Sequence, residues 1–265
     1  MNTPHGKEAV KTPFWLLEPL ENTTQPVPFP ASNTNPPQIL SGIKVLDLTR
    51  IIAGPTITRI LAEYGAEVLK ITSPKLSDVP FFQVDGYLPL QVPLKVRNVG
   101  KRTADLDLKD PQQRIIFEKL LEDVDVVVDG YRPGSLARLG YGPLRLSALA
   151  EKRGKGIVYV NENCFGYRGE WAYRPGWQQI ADCVTGIAWA QGLAMGMEEP
   201  MVPPFPMSDY GTGIMGVIAA MTGIWKRATE GGSWWGGSSL VAYDLFLFRL
   251  GLYPADVWYD PHLCH

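Results

Sequence analysis

Short apolar runs alternate with amphipathic stretches along most of this chain. The first run, residues 44–48, is mostly apolar and has the length of a strand buried on both faces of a parallel sheet. Ala53-Gly54-Pro55 follows and predicts a helix that begins at the proline. The turn between them lies at the carboxyl end of the strand, where open α/β sheets bind ligands. The pattern therefore indicates a βαβ unit with a ligand-facing turn.

The same alternation continues after this unit. Asp110-Pro111 predicts a helix with Asp at its N-cap, because the apolar residues that follow are spaced for one buried face. Further strands are predicted over residues 124–128, 156–160 and 239–243, and further helices over residues 138–153, 177–190 and 210–229. Strands alternating with helices predict an α/β fold with a doubly wound, mostly parallel, Rossmann-like sheet.

Two stretches differ in composition from these elements. Residues 1–40 contain eight prolines among polar residues, which favours extended conformations. We therefore expect a proline-rich lead or linker there, with one docking patch at Phe14-Trp15-Leu16-Leu17, and a large domain over 41–265. Residues 73–99 are too long for an ordinary connection, which predicts a functional loop.

The overall charge argues against polyanionic partners. With 25 basic and 27 acidic residues the net charge is −2, so we expect neither nucleic acid nor a membrane surface as partner. The amino terminus lacks the features of a secretory signal, and the longest uncharged stretch without proline, residues 210–225, falls short of a bilayer span. Three scattered cysteines show no metal spacing. We expect a soluble, cytoplasmic protein without a metal.

Histidine is confined to the ends of the chain. The three histidines are His5, His262 and His265, at positions where chains usually fray. Histidine-based triads, zinc sites and general bases each need an imidazole held in a packed site, so they are disfavoured. Acids, bases and nucleophiles are therefore expected among carboxylates, Lys, Tyr, Ser, Thr and Cys.

Asp209 is the first candidate for chemistry. It immediately precedes the long predicted helix, where unpaired backbone NH groups and the helix dipole favour an anion. One interpretation is a helix cap; the other is a nucleophile that attacks a thioester carbonyl. The helix itself carries small residues on one face, which suits either close helix packing or contact with a ligand: Gly213, Gly216, Ala220 and Gly223.

An ordered set of short blocks connects these features. After the βαβ unit come Asn98-Val99-Gly100-Lys101-Arg102, Leu106-Asp107-Leu108-Lys109, Tyr131-Arg132-Pro133-Gly134, Arg138-Leu139-Gly140, Arg174-Pro175-Gly176-Trp177 and Ser208-Asp209-Tyr210. This succession resembles the family III CoA-transferases, which include the α-methylacyl-CoA racemases, over about residues 40–250.

The resemblance implies an acyl-CoA and a small carboxylic acid as substrates. Asp209 matches the family's catalytic aspartate, and Ala53, Leu106 and Lys109 match positions that line the nucleotide end of CoA. Tyr131 matches an aromatic residue beside CoA. Because no glycine-rich phosphate loop is present, five basic residues of these blocks are expected to meet the phosphates: Lys101, Arg102, Lys109, Arg132 and Arg138.

Several positions of the CoA site depart from the family pattern. Ile52 stands where transferases often have glutamine, Gly130 where asparagine is common, and Ser73 where some members have arginine. Trp177-Gln178 replaces the His-Asp pair of the racemases and the aromatic-acidic pair of many transferases. Because Trp177 cannot move a proton, two-base epimerisation is disfavoured.

Three functions remain open from the sequence. The leading one is transfer of CoA between carboxylic acids through an Asp209 intermediate; the second is a catalytically inactive CoA-binding or partner-binding module; the third is an acyl-CoA racemase or isomerase. Family members continue into a smaller domain, which we expect to be missing or incomplete here. We also expect a homo-oligomer or a partner chain, with Trp234, Trp235 and Phe246 on the exposed surface.

Overall fold

The computed structural model describes residues 3–21, 23–32, 35–73, 75, 99–251 and 254. Within these residues seven strands form one sheet in the order β1-β7-β6-β5-β2-β3-β4. Neighbouring strands are parallel except for β1 and β7, so the predicted mostly parallel α/β sheet is confirmed. The strands are β1 Trp15–Leu20, β2 Lys44–Leu48, β3 Glu67–Thr72, β4 Lys101–Asp105, β5 Val126–Asp129, β6 Val158–Asn163 and β7 Ser233–Ser239.

Helices connect these strands and cover both faces of the sheet. In the described residues they are α1 Pro4–Ala9, α2 Ala53–Glu63, α3 Pro111–Leu121, α4 Ser135–Arg138, α5 Pro143–Lys152, α6 Gln178–Thr185, α7 Ile187–Ala194, α8 Met207–Thr229 and α9 Leu240–Leu250. Asp110 caps α3 as predicted, since its side chain accepts a hydrogen bond from the Gln112 amide at 2.9 Å. None of these described helices is long and apolar enough to cross a membrane.

Three predicted boundaries were wrong. The strand predicted over 239–243 is β7, which ends at Ser239, and the apolar residues after it form α9 because Ser239 caps that helix. The helix predicted over 177–190 is divided at Gly186, which has φ +96°. The helix predicted over 138–153 is likewise divided, by the turn that contains Gly140 at φ +91°.

The amino-terminal segment packs on the domain. The expected docking patch overlaps β1, an edge strand whose Pro19 is tolerated because no further strand pairs beyond it in the described sheet. The expectation that His5 is frayed was wrong. Its ring is buried and stacks on Trp171 with centroids 5.2 Å apart, and burial lowers the pKa of the imidazole. His262 and His265 lie outside the described residues.

The small residues of α8 serve helix packing. A Cβ at Gly213 would lie 2.7 Å from the Thr56 Cβ and 2.8 Å from the Ala53 carbonyl oxygen, both in α2. A Cβ at Gly216 would lie 2.3 Å from Ile57. These contacts favour the packing interpretation of the glycine face, because only a bare helix lets the two backbones approach so closely. The approach brings the start of α2 next to the first turns of α8.

The turn between β2 and α2 is held by a buried ionic network. Asp47 and Lys101 form an ion pair at 2.8 Å, and both side chains are fully buried. Asp47 also accepts hydrogen bonds from the Thr49 amide at 3.0 Å and the Thr58 hydroxyl at 2.7 Å, while Lys70 donates to the Thr49 carbonyl at 2.7 Å. Burial opposes ionisation of Asp47, but the nearby Lys70 and Lys101 outweigh it and lower its pKa.

The aromatic side chains expected at an exposed surface are half-buried instead. Trp235 packs edge-on against Tyr167, with ring centroids 4.9 Å apart, and Phe246 contacts Phe14 at 4.8 Å. Trp234 lies beneath the ammonium group of Lys226. The functional loop predicted over 73–99 lies outside the described residues, apart from residues 73, 75 and 99.

We predict that Lys101→Met lowers the free energy of unfolding by about 3–5 kcal/mol, because it removes one partner of a buried ion pair and leaves Asp47 poorly neutralised. The matched control is the neighbouring Arg102→Met. The Arg102 side chain is 73% exposed and pairs with Glu67 at the surface. Its replacement is therefore expected to lower the free energy of unfolding by less than about 1 kcal/mol. Urea unfolding measures both, and equal losses would contradict a structural role for the buried pair.

Candidate functional site

A pocket of about 160 Å³ opens at the carboxyl ends of β2, β5 and β6. The strand order reverses between β2 and β5, so this is the switch point at which doubly wound sheets bind ligands. Its walls come from three strand ends and the turns that follow, together with the start of α8. The lining residues are Arg50, Ile51, Ile52, Ala53, Gly130, Tyr131, Arg132, Pro133, Glu162, Asn163, Cys164, Arg174, Pro175, Gly176, Trp177, Asp209 and Leu240.

Two buried aspartates shape the turns that line the pocket. The side chains of Asp47 and Asp129 each accept a hydrogen bond from the backbone amide two residues later, at Thr49 (3.0 Å) and Tyr131 (2.9 Å). Asp129 also accepts from the Tyr159 hydroxyl at 2.6 Å. Burial raises the pKa of Asp129 to about 6 despite these hydrogen bonds. Both turns are therefore set by carboxyl groups within the strands.

The first of these turns contains a strained residue. Ile51 has φ +68°, in the left-handed region that a β-branched residue rarely adopts, and it lines the pocket. Ile52 and Ala53 follow and are buried at the start of α2. The strain is maintained by the surrounding contacts, since the turn is anchored on one side by Asp47 and on the other by the packing of α2 against α8.

Asp209 lies in the first turn of α8, facing the same pocket. It is the third residue of the helix and not its N-cap, which is Pro206, so the simple capping interpretation was wrong. In this position the helix dipole and the unpaired amides of the first turn still favour a negative charge. The backbone amide of Asp209 donates to the side-chain oxygen of Gln178 at 3.0 Å.

A buried polar network fixes this helix start. Gln178 is 2% exposed and donates through its amide nitrogen to Asp182 at 3.0 Å, while the Ser208 hydroxyl donates to the other oxygen of Asp182, also at 3.0 Å. Burial raises the pKa of Asp182 and raises that of neighbouring Asp244 to about 7. Gln178 does not line the pocket; it holds the backbone that carries Asp209.

Glu162 is a pocket residue that the sequence did not identify. It lies near the carboxyl end of β6, is 9% exposed and lines the pocket together with Asp209. Burial, followed by the negative charges of Asp209 and Asp129, raises its pKa to about 8. Its position beyond the predicted strand 156–160, at the ligand-binding edge, was the only available signal.

The bare backbone of Gly130 accommodates Glu162. A Cβ at position 130 would lie 3.4 Å from Oε2 of Glu162 and 3.2 Å from the Cβ of Thr49. A larger side chain at Gly130, such as the asparagine common in the family, would therefore extend into space bordered by these two residues. Gly130 thus lacks the polar side chain common in the family, and the carboxyl group of Glu162, on β6, lies near the space that such a side chain would enter.

The structure brings together about half of the predicted site residues. Ile52, Ala53, Tyr131, Arg132, Trp177 and Asp209 line the pocket. Three predicted residues do not line the pocket but lie at the same edge of the sheet, after β4 and β5: Leu106, Lys109 and Arg138. Leu106 is buried in the core cluster against which Tyr131 packs, and the side chains of Lys109 and Arg138 are exposed.

The predicted phosphate contacts of Lys101 and Arg102 are not supported. Lys101 is fully buried in its ion pair with Asp47. Arg102 is in the first part of β4 and shares a surface with Lys44 and Glu67 at the amino ends of the strands, opposite the pocket. Motif position alone could not distinguish these orientations, because adjacent residues of a strand point to opposite faces.

The pocket combines cations with carboxyl groups. Arg50, Arg132 and Arg174 contribute guanidinium groups, and Arg174 also stacks on Trp171 at 5.1 Å. Asp209 and Glu162 contribute the carboxyl groups. His5 does not line this pocket, and the described residues contain no cluster of three potential metal ligands. The arrangement suits binding of an anionic ligand and nucleophilic attack by a carboxylate.

Known proteins are similar to this chain in sequence. Acetyl-coenzyme A transferase nodX of Hypoxylon pulicicidum is 40% identical over 261 residues, which cover 97% of this chain and 42% of that protein. An acyl-CoA transferase of Gibberella moniliformis is 44% identical over 225 residues, covering 84% of this chain and 37% of the relative. The chain thus spans about two fifths of the length of these relatives.

A solved structure shows the same architecture. Rv3272 of Mycobacterium tuberculosis superimposes with a TM-score of 0.67 at 26% identity, covering 79% of this chain and 57% of the other. The family described as CoA-transferase family III matches residues 40–234, which include every strand of the sheet except β1 and most of β7. The chain belongs to CoA-transferase family III.

Proposed function

We propose that this chain binds an acyl-CoA and transfers CoA between carboxylic acids, with Asp209 as the covalent nucleophile. The observation that carries the proposal is the position of Asp209 in the first turn of α8, at the switch-point pocket of the sheet. The family membership and the similarity to acyl-CoA transferases support transfer of CoA in general. The aspartyl intermediate is the finer part of the proposal.

The chemistry follows from one carboxylate and one thioester. An oxygen of Asp209 attacks the thioester carbonyl and the C–S bond breaks. This step gives a mixed anhydride of Asp209 and the donor acid, and it releases CoA as a thiolate. The thiolate then attacks the Asp209 carbonyl and releases the donor acid as a carboxylate, which leaves an aspartyl thioester. The acceptor carboxylate then attacks the aspartyl thioester and expels CoA as a thiolate, which gives a second mixed anhydride. The thiolate attacks the acceptor's carbonyl in this anhydride, forms the new acyl-CoA and releases Asp209 as a carboxylate.

Separate parts of the site would hold the two ends of CoA. The pocket, at about 160 Å³, is smaller than the roughly 300–1,000 Å³ of typical ligand sites, which suits the thioester end alone. Exposed basic residues at the same edge of the sheet, Lys109, Arg132 and Arg138, are suited to the phosphates. Arg50 and Arg174 within the pocket wall would attract the incoming carboxylate.

We predict that Asp209→Asn abolishes formation of a covalent adduct but leaves CoA binding intact. The amide keeps hydrogen bonding and cannot act as the nucleophile, and the loss of its charge near the helix dipole should cost less than about 1 kcal/mol of stability. The measurement is incubation with a labelled acyl-CoA, a hydroxylamine quench and mass spectrometry of the peptide that contains Asp209.

The control for this substitution is Asp110→Asn, because Asp110 caps α3 and lies outside the pocket. The control protein should form the adduct as the parent does. An adduct in Asp209→Asn would overturn the mechanism. CoA binding without an adduct in any of the three proteins would favour a non-catalytic CoA-binding module.

We predict that Arg132→Glu weakens CoA binding about tenfold or more, because a charge-assisted contact is replaced by repulsion. The matched control is Arg102→Glu, which makes the same change in charge at the opposite edge of the sheet. Calorimetry at low and moderate salt measures both, and the affinity of the parent should fall as salt increases. An equal loss in the two variants would show that net charge, and not the proposed site, controls binding.

We also infer an oligomer or a partner chain. Helices α6, α7 and α8 expose large apolar side chains, a pattern typical of interfaces: Ile180, Val184, Trp189, Leu193, Ile214, Ile218 and Trp225. These replace Trp234, Trp235 and Phe246 as the expected contact residues.

Light scattering should therefore give a mass above that of the 29.3 kDa chain. Trp189→Arg is expected to shift the purified protein toward the single chain, since it places a charge within the apolar surface. Tyr64→Arg, at an exposed position that follows α2, should leave the mass unchanged. A parent protein that remains a monomer at all concentrations would contradict the inference.

A further inference from the structure

We propose that the carboxyl group of Glu162 donates a hydrogen bond to the thioester carbonyl oxygen of an acyl-CoA held in this pocket. The inference rests on the proposed function and adds a catalytic residue to it. A nucleophilic attack by Asp209 converts the carbonyl oxygen into an oxyanion, and a donor already directed at that oxygen stabilises the negative charge as it develops.

The position of Glu162 meets the first requirement for such a donor. It lines the same pocket as Asp209, on a strand end rather than on a loop, and its side chain extends toward the bare backbone of Gly130. A rigid strand that carries the donor favours a fixed geometry. Gly130 contributes by leaving space for the carboxyl group.

The hydrogen bonding of Glu162 meets the second requirement. Across the ranges that the structure describes, the side chain of Glu162 has no hydrogen-bond or ion-pair partner, although the residue is buried, with 9% of its surface exposed. Buried polar groups normally have a partner, because leaving one unpaired costs free energy. A ligand group in the pocket would supply the missing partner, and a carbonyl oxygen is the acceptor that a protonated carboxyl group needs.

The protonation state of Glu162 meets the third requirement. Burial opposes its ionisation, and the negative charges of Asp209 and Asp129 act in the same direction. With a pKa of about 8, the group retains its proton at neutral pH. The other titratable or charged groups around it are Cys164 and Tyr167, whose pKa values are also raised by burial, and the pocket residues Arg50, Arg132 and Arg174.

During the proposed step the proton remains between two oxygens. Asp209 forms the new C–O bond, the carbonyl π electrons move onto the oxygen that Glu162 contacts, and the electron pair returns when the C–S bond breaks. No proton is consumed or released. Glu162 thus needs no separate acid or base to restore it for the next cycle.

Two CoA analogues test the contact without turnover. One replaces the thioester sulfur of acetyl-CoA with CH₂ and so retains the carbonyl as a ketone; the other, S-ethyl-CoA, has no carbonyl. The parent should bind the ketone more tightly than the ethyl compound. Glu162→Gln retains a neutral donor and should keep this preference, whereas Glu162→Met, of similar length but without a donor, should reduce it about tenfold.

The pH dependence identifies the proton. In the parent, the preference for the ketone should fall as pH rises through about 8, because the carboxyl group then ionises and repels the carbonyl oxygen. In Glu162→Gln the preference should not change over the same range. Thermal melting of both variants within a few degrees of the parent confirms that they fold.

The outcomes separate this inference from the proposed function. If the parent binds neither analogue, both are overturned. If the parent binds both analogues equally, or if Glu162→Met retains the ketone preference, the role of Glu162 is overturned and CoA binding remains. A loss in Glu162→Gln as large as in Glu162→Met would show that the carboxylate acts in its ionised form, which also overturns the proposed contact.

Discussion

The geometry of the pocket depends on a charge that the fold has buried. Asp47 lies within the interior strand β2, and its buried carboxylate is stabilised there by the nearby ammonium groups of Lys70 and Lys101 and by several hydrogen-bond donors. Lys101 comes from β4 and also donates to the Pro55 carbonyl at 3.0 Å. The network therefore connects two strands with the first turn of α2. Through this connection the strained residue Ile51 keeps its place at the pocket wall.

The site can be described as two rigid supports facing one cavity. On one side the aspartate-anchored turns after β2 and β5 present backbone and cations; on the other the network of Gln178, Asp182 and Ser208 holds the first turn of α8. Both supports are held by hydrogen bonds within the protein. Such preorganisation matters for acyl transfer, because a nucleophile and an electrostatic stabiliser lower a barrier only when they are already oriented.

The sequence was sufficient for the fold but only partly for the site. Strand β5 contains the apolar run 126–128, and Asp110-Pro111 is a strong helix start, so local pattern and final structure agree at both places. The predicted end of β7 was wrong because Leu240 and Val241 suit either a strand or a helix, and tertiary packing decides between the two. Asp209 could be singled out because the start of a long helix is visible in the sequence and because its block resembles the family motif.

Glu162 and Lys101 have roles that the sequence alone does not reveal. Glu162 follows a predicted strand, whereas Lys101 begins β4, a strand that the sequence did not predict, and the role of each depends on which side chains the neighbouring strands bring to it. Lys101 belongs to a motif with basic character, yet its partner Asp47 is 54 residues away in the sequence. Glu162 is isolated in the sequence, and its raised pKa comes first from burial and then from the carboxyl groups of Asp209 and Asp129, which only the fold brings near it.

The edge strand β1 has a consequence for how the protein is handled. The family match begins at residue 40, and a recombinant fragment cut at that boundary would lack β1. It would leave one edge of β7, including Gly236 and Gly237, without its hydrogen-bonded neighbour. Unpaired sheet edges recruit strands from other molecules, so such a fragment would be prone to precipitate. The segment before the family match therefore contributes the strand that covers this edge of the sheet.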